Sequence, residues 1–206
     1  FFIWLASDNS RTILNHAVEY YFRSPNLDHA YWDFAGNRVF ISGNPCTLTY
    51  DLTTGNETGC YWTSMPDHGY PDWQDTDFSF SDDGQLLAVF TDQTSSDDSN
   101  SHLSIWDLNN NSQVELNINL YAARPNQIAF SQDNRYLVLG SRSVLRVWDI
   151  QNLPQNFEDR APIYIHGGPE SVIGDVEFVD WGVIQTISDE GVQRWDLHTG
   201  EYRGSS

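Results

Sequence analysis

Four times along this chain an aromatic residue closes an alternating, strand-like stretch. A short polar turn and an apolar run follow, and then an aromatic-Asp pair leads into a second polar turn. The copies run from Trp32 to Tyr50-Asp51, from Phe80 to Trp106-Asp107, from Phe130 to Trp148-Asp149 and from Phe178 to Trp195-Asp196. The leading aromatics recur at 48, 50 and 48 residues, and the separations within a copy are 18, 26, 18 and 17. A repeat of this length constrains the fold more than any other feature of the sequence. One such unit cannot bury its own apolar face and has to be stacked on its neighbours.

The units read as strands. Runs such as Leu86–Phe90, Tyr136–Leu139 and Val183–Ile187 suit strands covered on both faces, and the alternating stretches end at Gly, Asn and Asp turns. No stretch free of these breakers keeps helical periodicity beyond two turns, so helix should be scarce. The long second copy carries about eight extra residues, which coincide with the polar stretch 92–101 and predict a loop insertion. Ahead of the first copy, 1–7, 12–17 and 18–22 read as the last three strands of another unit. The fourth strand of the last unit has only 201–206 available.

The three Trp-Asp pairs, the Phe-Ser-x-Asp-Gly-like turns at Phe80 and Phe130, and the ending Trp195-Asp196-Leu197-His198-Thr199-Gly200 resemble the WD-repeat family over about residues 27–203. The resemblance implies an all-β propeller of four-stranded antiparallel blades around a central channel. The first aromatic would stand on the first strand and the Trp on the third. A lesser resemblance, to periplasmic TolB-like propellers and peptidase lids, shares the Phe-Ser-x-Asp-Gly turn but lacks a regular Trp-Asp.

The expected organisation is one propeller over 1–206. It comprises a partial blade at 1–26 and blades at 27–67, 68–122 (with the 92–101 insertion), 123–165 and 166–206. The chain begins with Phe in what reads as mid-strand, and we expect a fragment or an open arc, closure into a five-bladed ring being the lesser reading. The expected structural residues are Trp32, Tyr50, Asp51, Phe80, Trp106, Asp107, Phe130, Trp148, Asp149, Phe178, Trp195 and Asp196.

The sequence also departs from the family. A Gly-His pair ahead of the first strand, an Asp ahead of the third and the Trp form the hydrogen-bonded set that stiffens a WD blade. Only Asp189, six residues before Trp195, stands in place; Asn44, Asn100 and Arg142 occupy the other Asp positions, and no Gly-His is found. These blades should therefore lean on aromatic packing.

The charge narrows function. Twenty-nine carboxylates face ten arginines and no lysine, for a net charge of −19, which repels nucleic-acid phosphates. The acidity reads either as Asp serving turns and solubility or as a surface for a cationic partner. The longest apolar run, Phe1–Ala6, is far short of the roughly 20 residues of a spanning helix. Cys46 and Cys60 fall on two arms of one predicted hairpin, two to four positions out of register, which argues against a disulfide. Cellular compartment stays open.

No catalytic motif is present: neither a Gly-x-Ser-x-Gly elbow nor His-Glu-x-x-His, Cys-x-x-Cys or a phosphate loop. The six His are scattered singly. Asp72, Asp75 and Asp77 crowd together without the mid-loop Gly of a calcium loop and read as a solvated turn. We expect no catalytic residues, no metal and no cofactor.

In the resembled fold, interblade connections and second-to-third-strand loops share one face. Trp62, His68, Tyr70 and Trp73 crowd one connection there, joined by Tyr121, Arg124, Arg142 and His166. Trp, Tyr and Arg dominate interfaces, so these eight residues are the expected contacts to a protein or peptide partner. The function expected is a non-enzymatic scaffold. The alternatives are a propeller-based enzyme or a regulatory or sensor domain of a larger multidomain protein.

Overall fold

The computed structural model describes residues 2–5, 10–13, 30–33, 37–41, 47–61, 73–93, 100–118 and 125–205. Its architecture is all-β. A two-stranded ribbon, β1 (Phe2–Leu5) and β2 (Ser10–Ile13), precedes four antiparallel four-stranded sheets whose strands pair in simple chain order. The first blade holds β3 (Ala30–Asp33), β4 (Arg38–Ile41), β5 (Thr47–Asp51) and β6 (Glu57–Tyr61); the second holds β7 (Trp73–Phe80), β8 (Leu86–Gln93), β9 (Asn100–Asp107) and β10 (Ser112–Leu116). The third is β11 (Pro125–Phe130), β12 (Tyr136–Ser141), β13 (Val144–Asp149) and β14 (Tyr164–Gly167). The fourth is β15 (Ile173–Asp180), β16 (Val183–Ser188), β17 (Gly191–Asp196) and β18 (Tyr202–Ser205). Among the described residues, no helix is long and apolar enough to cross a membrane.

The repeat has a direct structural meaning. In every blade the two aromatics flank one aliphatic residue on a single cross-strand ladder: Trp32–Val39–Tyr50, Phe80–Leu87–Trp106, Phe130–Leu137–Trp148 and Phe178–Ile184–Trp195. All four central aliphatics are fully buried. At roughly 1.5–3 kcal/mol for each such fully buried aliphatic, these ladders contribute directly to cohesion.

Successive residues on a strand point to opposite faces, so each second strand serves two junctions at once. Leu87 and Val89 join Phe40 against the first blade, while Ala88 and Phe90 turn to the third and meet Phe130, Leu137, Leu139 and Trp148. Val138, Leu145 and Val147 use the opposite face of the third blade to meet Ile173, Val176, Ile184 and Trp195. The outward face of the fourth blade changes character. Where the second blade offers Ala88, Phe90, Leu103 and Ile105, the equivalent ladder positions hold Gln185, Ile187, Val192 and Arg194. Gln185 donates to Glu177 at 2.5 Å and accepts from Arg194 Nε at 3.1 Å.

The Asp after each aromatic shapes the turn that follows. Asp51 Oδ1 accepts from the Thr53 and Thr54 N–H groups, Asp107 Oδ1 from Asn109 and Asn110, and Asp196 Oδ1 from His198 and Thr199. The left-handed residue that closes each of these turns is Gly55, Asn111 or Gly200. First-to-second-strand turns use a Ser-Asp pair: Ser81 Oγ donates to Asp83 and accepts from Leu86 N, and Ser131 does the same with Asp133 and Tyr136 N.

Two sequence expectations change. The 92–101 stretch is not all loop, because Asp92 pairs with Ser101 and Gln93 with Asn100, which lengthens the β8–β9 hairpin. Asp189 does not hold the fourth-blade indole. It lies exposed in the β16–β17 turn, and Trp195 Nε1 donates instead to Thr186 Oγ1 at 2.9 Å in a buried bond. The third-to-fourth-strand link of the third blade, residues 150–163, is much longer than its counterparts and carries two 3-10 turns. Arg160 organises it, donating to the Pro154, Gln155 and Glu115 carbonyls, while its own carbonyl accepts from Trp148 Nε1 at 3.1 Å and Asn117 N at 3.2 Å. Glu115 and Asn117 belong to the second blade, so this segment straps two blades together. Cys60 pairs with Leu48, in line with the expected register, and Cys46 lies outside the described residues.

Candidate functional site

Of the eight expected partner contacts, Trp62, His68, Tyr70, Tyr121 and Arg124 lie outside the described residues. Trp73 is the first residue of β7, opposite Gln93, rather than part of a connection. Arg142 stands exposed at the β12–β13 turn in left-handed conformation (φ 48°), and its carbonyl accepts from Ile173 N of the next blade at 2.8 Å. His166 is on strand β14, and Nε2 donates to the Leu197 carbonyl at 2.8 Å. Its ring fills the space that a side chain at Gly200 would need, since a Cβ there would stand 2.3 Å from Nδ1. The structure therefore makes His166 a link between blades. No group of three or more His, Cys, Asp or Glu is placed to hold a metal ion among the described residues.

A concavity opens at the opposite end of the blades from Arg142. Antiparallel order puts every first-to-second and third-to-fourth turn at that end, and a cleft of about 360 Å³ runs there between the third and fourth blades. Its third-blade wall carries Asp133, Arg135 and Tyr136; its fourth-blade wall carries Asp180, Trp181, His198 and Arg203. Phe178 and Leu197, at the edge of the junction core, line it as well.

A row of rings extends from this cleft. His198 stands edge-on to Tyr136 and Tyr164, with centroids 6.1 and 5.7 Å away, and Tyr164 stacks on His166 at 5.5 Å and 16°. The Arg135 guanidinium carbon lies 4.9 Å from the Tyr136 centroid, within cation–π range.

Both arginines of the cleft are engaged. Arg135 reaches Asp149 Oδ2 with Nε and Nη2 at 3.1 and 2.9 Å, and that hydrogen bond raises its pKa. Burial pushes the Asp149 carboxyl up, but bonds from Asn152 and Arg135 outweigh it and hold the group below its ordinary range. Arg203 pairs with Asp196. The Thr199 N–H is the largest influence holding Asp196 down, to about 2, with Arg203, the His198 N–H and the Thr199 hydroxyl adding to it against the cost of burial.

Trp181 was absent from the expected contacts. It is 76% exposed, more than any other large hydrophobic residue described. It sits between Asp180, whose Oδ1 accepts its N–H at 2.7 Å, and Gly182 at φ 77°. The second and third blades hold Asp83 and Asp133 just ahead of their own left-handed residues, Gly84 and Asn134, and use those carboxylates to fix the turn. A Trp supplies no such bond, so turn architecture does not account for it. The signal available in the sequence was this exchange of Asp for Trp.

No family model and no curated protein matches the sequence. Among solved structures the chain is similar to one described as the crystal structure of the mitotic checkpoint complex, with TM-score 0.66 and 15% identity over 98% of this chain and 58% of that one. It is also similar to the structure of U3-55K, with TM-score 0.60 and 13% identity over 84% of this chain and 49% of that one. The chain thus spans roughly half to three-fifths of the chains that it matches. These likenesses identify the fold as an all-β propeller of WD40-like blades.

Proposed function

We propose that this chain is a non-enzymatic scaffold that holds a protein or peptide partner on its blade ends. The observation that carries the proposal is the exposed Trp181 at the mouth of the cleft, on a short turn anchored to a packed blade junction. An aromatic displayed to solvent on a rigid support is costly to keep in water and suits an interface anchor.

The engagement of the three described histidines supports the same reading. His102 Nδ1 lies 2.7 Å from Glu115 Oε1, His166 bonds the Leu197 carbonyl, and His198 sits among tyrosine rings. Each is used to join strands or blades. The connection-face residues Trp62, Tyr70, Trp73, Arg124 and Arg142 are proposed as a second contact surface.

The test is affinity capture of a cross-linked partner by the intact chain and by two sets of alanine variants, Trp181 with Tyr136 and Trp62 with Tyr70, Arg124 and Arg142. At least one set should reduce capture of a partner held by the parent. A partner held equally by both sets would reject the surfaces proposed, and turnover in a screen of glycosides and peptides would reject the non-enzymatic reading.

A further inference from the structure

The cleft between the third and fourth blades combines an exposed indole with two carboxylates that have no ion-pair partner among the described residues. Of its three carboxylates and two guanidiniums, Arg203 is taken by Asp196 and Arg135 by Asp149. Asp133 and Asp180 are left without an ion-pair partner among the described residues. Each spends one oxygen on its own turn: Asp133 Oδ1 accepts from Ser131 Oγ and Arg135 N, and Asp180 Oδ1 accepts from Trp181 N. A carboxylate has room for about four hydrogen bonds, so both keep acceptor capacity for an incoming donor.

Resting on the scaffold reading, we propose that this cleft receives an arginine or lysine side chain of a basic protein segment, with the Trp181 indole against the cation and Asp133 and Asp180 as its acceptors. Charge complementarity selects this occupant. The chain carries −19 and draws cations toward it over a Debye length, whereas an acidic segment would meet two uncompensated carboxylates at the cleft. The indole supplies the specificity that diffuse charge cannot, because a cation within about 6 Å of a Trp face gains from the ring quadrupole. The site also lies at the opposite blade end from Arg142, which leaves a cation there exposed on the other face.

Fluorescence anisotropy on the full chain tests this with two labelled nonapeptides, one alternating arginine and alanine, the other glutamate and alanine. The arginine peptide should bind and the glutamate peptide should not. Trp181→Ala should weaken binding about tenfold or more, and Asp180→Asn by roughly two- to fivefold, with melting temperatures unchanged. Glu177→Gln, on the outward face of the fourth blade, should leave affinity within about twofold of the parent.

Equal loss with Glu177→Gln and Asp180→Asn would show attraction to overall charge and overturn the site, as would arginine-peptide binding indifferent to Trp181→Ala. If the arginine peptide fails to bind while partner capture still depends on Trp62, Tyr70, Arg124 and Arg142, the cleft assignment falls and the scaffold survives. If capture is indifferent to both sets as well, both readings fall.

Discussion

Truncating Trp148 to alanine tests the claim that aromatic ladders hold the blades together. The ring is fully buried at the junction of the second and third blades, against a cluster that includes Phe90, Leu103, Phe130 and Leu137. A buried Trp removes about 150–250 Å² from water, and truncation of such a side chain costs roughly 3–5 kcal/mol. The indole N–H also serves the Arg160 carbonyl at 3.1 Å, and loss of that bond adds about 1 kcal/mol. A total of about 4–6 kcal/mol in a chain of 206 residues corresponds to a melting temperature lowered by roughly 8–24 °C. Trp148→Phe separates the two contributions, keeping most of the apolar area and losing the donor, so it should cost about 1–2 kcal/mol. Thermal melts by circular dichroism and urea titrations measure both. A Trp148→Ala protein within about 1 kcal/mol of the parent would refute the ladder argument. A Trp148→Phe protein as unstable as the alanine variant would show that the bond to the strap, rather than packing, dominates.

Two further outcomes follow from the turns and the strap. The folded-state pKa of Asp196 is depressed to about 2, so the stability that it contributes is present above the ordinary carboxylate range, near pH 4, and is lost as pH falls toward 2. Asp196→Asn should therefore flatten the acid limb of the stability profile over that window while lowering stability at neutral pH, and an unaltered acid limb would contradict the assignment. Arg160→Ala should free residues 150–163 from Glu115 and raise proteolytic cleavage within that segment several-fold. Arg160→Lys should not rescue it, because one ammonium cannot reproduce three separately directed bonds to the Pro154, Gln155 and Glu115 carbonyls.

The ladders were legible in the sequence because they are a matter of spacing. An aromatic, a turn and an aliphatic strand of set length can bring Phe130, Leu137 and Trp148 into line in only one register, and alternation then decides which face each neighbour serves. Features that depend on distant partners were not legible. Thr186, not Asp189, takes the Trp195 indole, because register brings the hydroxyl beside it. Composition reads 92–101 as loop, but at its two ends Asp92–Ser101 and Gln93–Asn100 continue the hairpin with backbone bonds that need no apolar side chains. Aromatics are dense at 62–73 on the connection face, whereas Trp181 is marked only by standing where the second and third blades carry Asp83 and Asp133. Strand β14 runs through His166, which the interblade spacing had placed in a connection.

The two-sided use of each second strand has a consequence for how this molecule can change. Val138 and Leu139 are neighbours in sequence but report to different junctions, so a substitution at one adjusts the third–fourth seam and a substitution at the other adjusts the second–third. The cleft sits on the third–fourth seam, above Val176 and Ile184. Its width can therefore drift with the volumes of a few aliphatic residues that never touch a ligand, while the neighbouring seam, pinned by Trp148 and the Arg160 strap, keeps its shape. Substitution can reshape one seam without dismantling the next.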